Sequence, residues 1–252
     1  MAPVVTLSIV SHDQGALVAT LLADIARHLS TPLRVSLTVN VPEVREEWSG
    51  ARLPFEFEVI RNTKPKGFGE NHNAALARAS TSLFCVLNPD IRLPADPFPP
   101  LLALLANPKI GVASPVVTGP DLTPEDHARD FPSLFTLAAK ALGIQVDSPA
   151  PAGQTVYFPD WVAGMFMLFR SETLRSMRGF DERYFLYYED VDLCARLRSA
   201  GFEVAVSAET SVIHAARRES RRNLRFARWH FRSAMRFFAS QPRIALGLGR
   251  RR

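Results

Sequence analysis

Cysteine is almost absent from this chain. Two occur in 252 residues, Cys85 and Cys194, both among apolar neighbours. That excludes a disulfide-stapled scaffold, and the spacing matches no cysteine-based metal site. Two buried free thiols in a reducing cytoplasm fit the pattern. Long apolar runs are missing as well. A bilayer-crossing helix needs about 20 apolar residues in succession, whereas the longest candidate, Trp161 to Phe169, suits a buried strand. The opening MAPVVTLSIVSHDQG lacks a basic leader and meets a polar His-Asp-Gln turn early, so no secretory signal is expected. Acids are scarce in one region only. From Arg217 to Arg252 twelve arginines accompany a single acid, Glu219. The formal charge of +5 therefore belongs to the C-terminal end, and the remaining chain is mildly acidic.

What is present is an ordinary globular composition, 47% hydrophobic, in a chain long enough for one large α/β domain or two small lobes sharing a core. Val4 to Val10 reads as a strand ending in Ser11-His12-Asp13-Gln14-Gly15. Leu17 to Leu29 repeats apolar residues at helical spacing. Leu33 to Val39 and Phe55 to Ile60 read as strands, and Asn71 to Ala79 as a helix. Leu83 to Leu87 is wholly apolar, as in the middle of a parallel sheet, and stops at Asn88-Pro89-Asp90. Beyond an irregular stretch, Asp121 to Gln154 with a helical part near 131–142, follow a strand (162–169), a helix (171–177), a loop (179–189), a helix (191–200) and a strand (203–206). This rhythm predicts an open, twisted, mostly parallel α/β sheet flanked by helices. Ligands of such sheets bind beyond the strand carboxyl ends. Ser11 to Asp13, Asn40, Arg61 to Asn62 and Asn88 to Asp90 should then converge on one crevice.

Four constellations carry chemistry. Asp90, just past a buried strand, suits a hard divalent cation, Mg²⁺ or Mn²⁺, although Asn-Pro-Asp is also good turn chemistry. Glu189, Asp190 and Asp192 crowd a helix start behind Tyr184, Phe185, Tyr187 and Tyr188. Acids there favour the helix dipole. Crowding and aromatic cover also raise a carboxylate pKa, which suits a general base. Lys66-Gly67-Phe68-Gly69-Glu70-Asn71-His72-Asn73 combines glycines that admit a close ligand with a helix N-terminus suited to phosphate. His214, at a strand end before Arg217 and Arg218, is either structural or a metal and diphosphate contact.

In order, the motifs are strand-Ser-His-Asp, Lys-Gly-Phe-Gly-x-x-His-Asn, Leu-Asn-Pro-Asp, Trp-Val-x-Gly, GFDERYFLYYEDVDLCARLRSAGF at 179–202, and Val-Ile-His. This pattern, over roughly residues 4 to 218, resembles the inverting family 2 glycosyltransferases of the GT-A fold, especially bacterial rhamnosyltransferase-like members of polysaccharide assembly. The resemblance implies a metal-dependent transfer of a sugar from a dTDP- or UDP-sugar to a glycan or lipid-linked acceptor. It implies one domain over 1–215, with a nucleotide-sugar half (1–115) and an acceptor half (116–215). Asp190 would be the base and Glu189 its partner in the acidic pair. Ser11, Asp13, Asn40, Lys66, Gly67, Asn71, Asn73, Asn88 and Asp90 would meet the nucleotide sugar, and Trp161, Gly164 and Asp181 would shape the sugar and acceptor pocket. Asp90 and His214 would hold the metal. Asn40 and Asn88 stand where the family commonly has aspartates. A nucleotidyltransferase would want a basic glycine-rich loop after the first strand, which Ser11 to Gly15 lacks. A sugar-nucleotide-binding protein without catalysis would not need both Asp90 and Asp190.

Residues 216–252 read as a separate basic amphipathic segment. Arginines recur at 218, 221, 222, 225, 228, 232 and 236, with Leu224, Phe231, Met235 and Phe238 on a complementary face. Binding to an anionic membrane surface is the leading reading, as a peripheral protein of the inner membrane. Packing on the body or a homodimer contact is the alternative. No nucleic-acid motif accompanies the basic residues.

Overall fold

The computed structural model describes residues 2–50, 52–142, 153–215 and 224–248. At its centre β1 (Val5–Ser11) lies between β2 (Leu33–Val39) and β4 (Leu83–Leu87), all parallel, with β3 (Glu56–Arg61) outside β2. The sheet continues from β4 through β10 (Phe166–Arg170), β6 (Ile110–Thr118), β11 (Glu203–His214) and β5 (Ile91–Arg92). β10 runs antiparallel to both neighbours, whereas β6 and β11 are parallel. β8 (Val156–Tyr157) pairs with β11, and β7 (Ala128–Arg129) with β9 (Trp161–Val162) forms a separate two-stranded sheet. The result is the mixed α/β sheet, mostly parallel, that the strand and helix rhythm predicts.

Alternation along the strands divides the core into two layers. Val5, Leu7, Ile9, Cys85 and Leu87 face α1 (Gly15–His28) and α3 (Phe98–Leu105). Phe84 and Val86 face α2 (Phe68–Arg78), α5 (Ser171–Ser176) and α6 (Glu189–Ser199). Thr6 and Ser8 are fully buried, and both are satisfied, by Thr81 at 2.7 Å and His72 Nδ1 at 2.8 Å. Both cysteines are free and buried, one in each layer.

Four of these elements differ from the sequence expectation. The strand expected over 162–169 is broken at Ala163-Gly164-Met165, because Trp161–Val162 pairs with β7 while Phe166–Arg170 joins the main sheet. α3 and β6 are additional elements. α3 (FPPLLALL) is too uniformly apolar to show a helical period, and Pro115 interrupts the strand pattern of β6. The final strand runs to His214 rather than Val206. It shifts register between Ser207 and Ser211, opposite Pro115 and Val116, where a proline without an N–H leaves the ladder interrupted.

The basic end forms α7 (Leu224–Ser240) and a short α8 (Pro242–Ala245). One side of α7 packs on the body: Ala234 and Phe237 are buried, and Ser233 Oγ donates to the Leu186 carbonyl at 2.9 Å. The single apolar face read from the sequence is thus divided, since Phe231 and Met235 remain exposed. Arg217, Arg218, Arg221 and Arg222 lie outside the described residues.

α1 is tied to β5 by Asp24, which is buried and accepts from Arg92 Nε (2.6 Å), Arg92 Nη2 (3.0 Å) and the Leu93 N–H (3.1 Å). Burial alone would raise its pKa, but the bonds from Arg92 and Leu93 outweigh burial and lower it. Asp24→Ala should cost about 1–3 kcal/mol, the usual effect of unmaking such bonds at a buried site. Urea unfolding checks this. A carboxylate with a lowered folded pKa stabilises above its unfolded value, so the cost of Asp24→Ala should fade as pH falls below 3.8.

Candidate active site

A cleft of about 2150 Å³ opens beyond the carboxyl ends of β1, β2 and β4. His12, Asp13, Asn40, Lys66 and Asn71 line it, together with Asn88 and Asp90. So do Trp161, Gly164, Glu189 and Asp190. The crevice position follows from topology, since the sheet runs outward in opposite senses on either side of the β1/β4 pair. Arg61 does not join it, but forms a fork with Glu46 and lies over the Trp48 ring.

Asp90 and His214 meet because β5 and β11 pair antiparallel directly after Asp90, and the Ala215 N–H donates to the Asp90 carbonyl at 2.8 Å. His214 Nε2 stands 3.2 Å from Asp90 Oδ2, and Nδ1 is 2.7 Å from Glu125 Oε2. Burial would lower the imidazole pKa, but the two carboxylates outweigh it and hold it at about 9. His214 is therefore protonated at neutral pH and donates to both. The other Asp90 oxygen, Oδ1, is buried without a hydrogen-bond partner. Asp90 thus brings an unpartnered acceptor atom to the cleft wall, with His214 directly behind it. Among the described residues no three His, Cys, Asp or Glu side chains form a complete metal cage.

Asp190 sits in the first turn of α6. Its Oδ2 accepts the Gly164 N–H at 2.9 Å and its Oδ1 accepts the Val191 N–H at 2.8 Å. Burial raises its pKa, opposed by those two N–H groups and by the charge of Arg129. Glu189 is buried, and its Oε2 has no hydrogen-bond partner. Burial, then the charge of Asp190, push its pKa far up. Tyr187 and Tyr188, immediately before, both have positive φ (70° and 68°). Left-handed backbone costs non-glycine residues about 1–2 kcal/mol each, so neighbours must hold it. His230 of α7 does so, its ring 5.4 Å from Tyr187 and 5.3 Å from Tyr188, with Phe237 5.5 Å from Tyr188.

The glycine-containing loop is a joint rather than an open cradle. Asn40 Oδ1 accepts from the Lys66 N–H (2.8 Å) and Asn62 Nδ2 (2.9 Å), and its Nδ2 donates to the Lys66 carbonyl (3.0 Å). Asn71 Nδ2 donates to the Gly67 carbonyl at 2.9 Å. Lys66 reaches Glu70 at 3.1 Å. A Cβ on Gly67 would stand 2.9 Å from the Phe185 carbonyl oxygen and 3.0 Å from that of Tyr184, so glycine allows this loop to touch the segment leading to the acids. Asn73 clamps Phe180 through its N–H and carbonyl, both at 2.9 Å. His72 is buried against Phe68, and burial lowers its pKa to about 3, so it is a neutral core residue.

Ser11 and Asp13 hold the first turn: Ser11 Oγ accepts the Gln14 N–H and Asp13 Oδ1 the Val44 N–H. Asp181 is forked by Arg183. Ser11, Gly67, Asn73, Asp181 and His214 are not among the residues that line the cleft. Arg129 and His230 do line it and were not singled out from the sequence, and Trp229, read there only as widening the apolar face of the basic helix, lines it too. Arg129, whose guanidinium lies 5.6 Å from the Trp161 ring, sits in the irregular stretch, where no motif marks it.

The cleft over this mostly parallel sheet thus holds a strand-end carboxylate beside a histidine and a second carboxylate positioned by backbone N–H groups. The chain belongs to the glycosyltransferase family described as "Glycosyltransferase like family 2", whose model matches residues 2–235. It is 31% identical over 185 residues to rhamnosyltransferase WbbL of Escherichia coli strain K12, covering 69% of this chain and 70% of that one. It is 29% identical over 208 residues to N-acetylglucosaminyl-diphospho-decaprenol L-rhamnosyltransferase of Mycobacterium tuberculosis, covering 78% of this chain and 66%, just under two thirds, of that one. Among solved structures, the mannosyltransferase of Pyrobaculum calidifontis in complex with GDP-Man and Mn²⁺ superposes with a TM-score of 0.67 at 17% identity, over 94% of this chain and 65% of that chain. Staphylococcus aureus TarS 1–349 in complex with UDP-GlcNAc gives 0.66 at 11% identity, over 98% and 71%. These likenesses establish a shared fold.

Glu189 yields a pH-dependent expectation. An acid whose folded pKa is raised loses stability as pH climbs above its unfolded value, because the unfolded chain ionises first. Glu189→Gln should therefore unfold at a higher temperature than wild type. The difference should grow from pH 4.5 upward. Melting curves from pH 4 to pH 8 test it, and a constant difference would contradict it.

Proposed function

We propose that this glycosyltransferase moves a sugar, rhamnose in the first instance, from a dTDP- or UDP-sugar to a hydroxyl of a glycan or lipid-linked acceptor in bacterial surface-polysaccharide assembly. The transferred sugar follows the names of the two rhamnosyltransferase relatives, the lipid-linked acceptor that of the second, and the setting that of a further relative, an O-antigen biosynthesis protein of Myxococcus xanthus. One observation carries the chemistry: Asp190 is half-buried in the cleft, with both oxygens aimed by backbone N–H groups. Residues 1–215 act as one domain in this reading, with the donor half at 1–115 and the acceptor half at 116–215.

Asp190 takes the proton of the attacking acceptor hydroxyl. The new bond forms from that oxygen to the anomeric carbon while the bond to the diphosphate oxygen breaks, so attack opposite the leaving group inverts the centre. Burial keeps the base pKa above the ordinary carboxylate range, which suits proton removal near neutrality. The Gly164 and Val191 N–H groups keep it aimed. Glu189, buried beside it, is held in its neutral form by burial and by the charge of Asp190. Arg129 opposes the effect of burial on Asp190 by favouring its ionised form.

At the other carboxylate, Asp90 Oδ1 is buried and unpartnered and fits a divalent cation, Mg²⁺ or Mn²⁺, whereas His214, which donates from Nε2 to Asp90 Oδ2, would join as a ligand only on giving up that proton. A cation held there would supply Lewis acidity to the departing diphosphate. Asn88 also lines the cleft, and as a neutral side chain it leaves Asp90 as the one carboxylate of the Asn88-Pro89-Asp90 turn.

Asp190→Asn should lower kcat by about 10²- to 10⁴-fold while melting temperature and donor affinity hold, and near-normal turnover would refute the base assignment. EDTA should abolish turnover, and Mg²⁺ or Mn²⁺ should restore it. A thermal-shift series with UDP, dTDP and GDP plus metal should single out the donor's base, because a ligand of the folded state raises the melting temperature.

A further inference from the structure

α7 has two working faces. Trp229, His230, Ser233, Ala234 and Phe237 form one stripe, which packs on the Tyr184–Tyr188 segment; Trp229 lies 4.8 Å from Phe185. The opposite stripe, at helical spacing, is Arg228, Phe231, Arg232 and Met235. All four are exposed, Phe231 by 68% and Met235 by 56%. Leu246 and Leu248, just past α8, add exposures of 56% and 62%, next to the exposed Arg243. The packing of α7 on the body is already complete through the inner stripe, so these apolar side chains are surplus to it.

A second helix repeats the arrangement on the same cleft. α4 (Leu134–Ala141) contributes Thr136 and Leu137 to the cleft lining, while α7 contributes Phe226, Trp229 and His230. Leu134 and Phe135 are nevertheless 51% and 71% exposed. Two helices that wall one cleft thus both present large apolar side chains to solvent. A monomer rarely leaves such a surface uncovered. Charge decides the occupant. On the α7 and α8 side the exposed Arg228, Arg232 and Arg243 flank the apolar groups, and no acid follows Glu219 in that segment.

We propose that the outer face of α7 and the turn after α8, with the exposed end of α4, form a docking rim for an anionic lipid bilayer. Apolar side chains enter the headgroup boundary while arginines meet lipid phosphates. The rim brings the cleft to the membrane, where a lipid-linked acceptor would be presented; that consequence, unlike the docking itself, rests on the acceptor class proposed above. The inner stripe of the same helix braces the Tyr187–Tyr188 turn before Asp190, so docking and base geometry share one rigid element.

Vesicle co-sedimentation of the full chain, without substrate, tests the docking alone. Phosphatidylglycerol-containing vesicles should bind it and neutral phosphatidylcholine vesicles should not, with binding weakened by salt. Arg228→Glu with Arg232→Glu should weaken binding at least tenfold, since each basic residue near an anionic surface contributes roughly a factor of five or more. Phe231→Ser with Met235→Ser should weaken it at low and high salt alike. Leu134→Ser with Phe135→Ser tests α4 separately and should also weaken it. Circular dichroism checks folding, and turnover of a water-soluble acceptor should survive in all three variants. Binding that ignores lipid charge or these substitutions overturns the proposal. So does a face covered by a second copy in light scattering, or one that binds nucleic acid and ignores vesicles. If vesicles bind yet a lipid-linked acceptor is not used, docking stands and the acceptor reading fails.

Discussion

The Gly164 N–H to Asp190 bond, 2.9 Å long, is the constraint around which the site is assembled. It requires glycine at 164, since a Cβ there would stand 2.9 Å from the Phe68 ring. Phe68 is seated by its own N–H, which donates to the Phe185 carbonyl at 2.9 Å, and by Gly67, which lets the two backbones approach. Asn73 then clamps Phe180 from the same helix, and Gly179 (φ 64°) turns there with no room for a side chain, Asn73 Oδ1 lying 2.2 Å from where a Cβ would be. Motifs 26 to more than 100 residues apart are therefore parts of one support for a carboxylate.

That support works against local preference. Two left-handed tyrosines and a buried, partnerless glutamate oxygen each destabilise the fold. Their offset comes from α7, through ring contacts and the Ser233 bond to Leu186, and from the apolar layer on which α6 sits through Leu193, Cys194 and Leu197. The opposite wall is arranged differently. Asp90, His214 and Glu125 form a series in which a protonated imidazole lies between two carboxylates. Burial thus makes Asp190 more basic, whereas Asp90 is held against a cationic imidazole.

Much of the fold was legible because the strands carry their own period. β1, β2 and β4 are apolar runs stopped by polar turns, and their ends did bring His12, Asp13, Asn40, Asn88 and Asp90 to one cleft. Arg61 did not follow, since Glu46 and Trp48 on a connecting loop captured it. α3 lacked a period and β6 was masked by Pro115. The break at Gly164 was invisible because WVAGMFMLF reads as one apolar run until β7 is available to pair with its first two residues.

The amino-acid order by itself determined which groups are available: a strand-end aspartate, an acidic pair at a helix start, glycines where backbones must touch, and a basic end with no acid after Glu219. Those follow from residue type and spacing, which sequence displays directly. Tertiary structure alone decided how the groups are used. It turned the Asn-rich loop into a joint, made His72 a neutral core residue, set Arg129 where its charge reaches Asp190, and divided the aromatic side chains of α7 between an inner and an outer face. Each of these depends on a partner distant in the chain, and hydrogen bonding, charge and burial act through space rather than along the backbone.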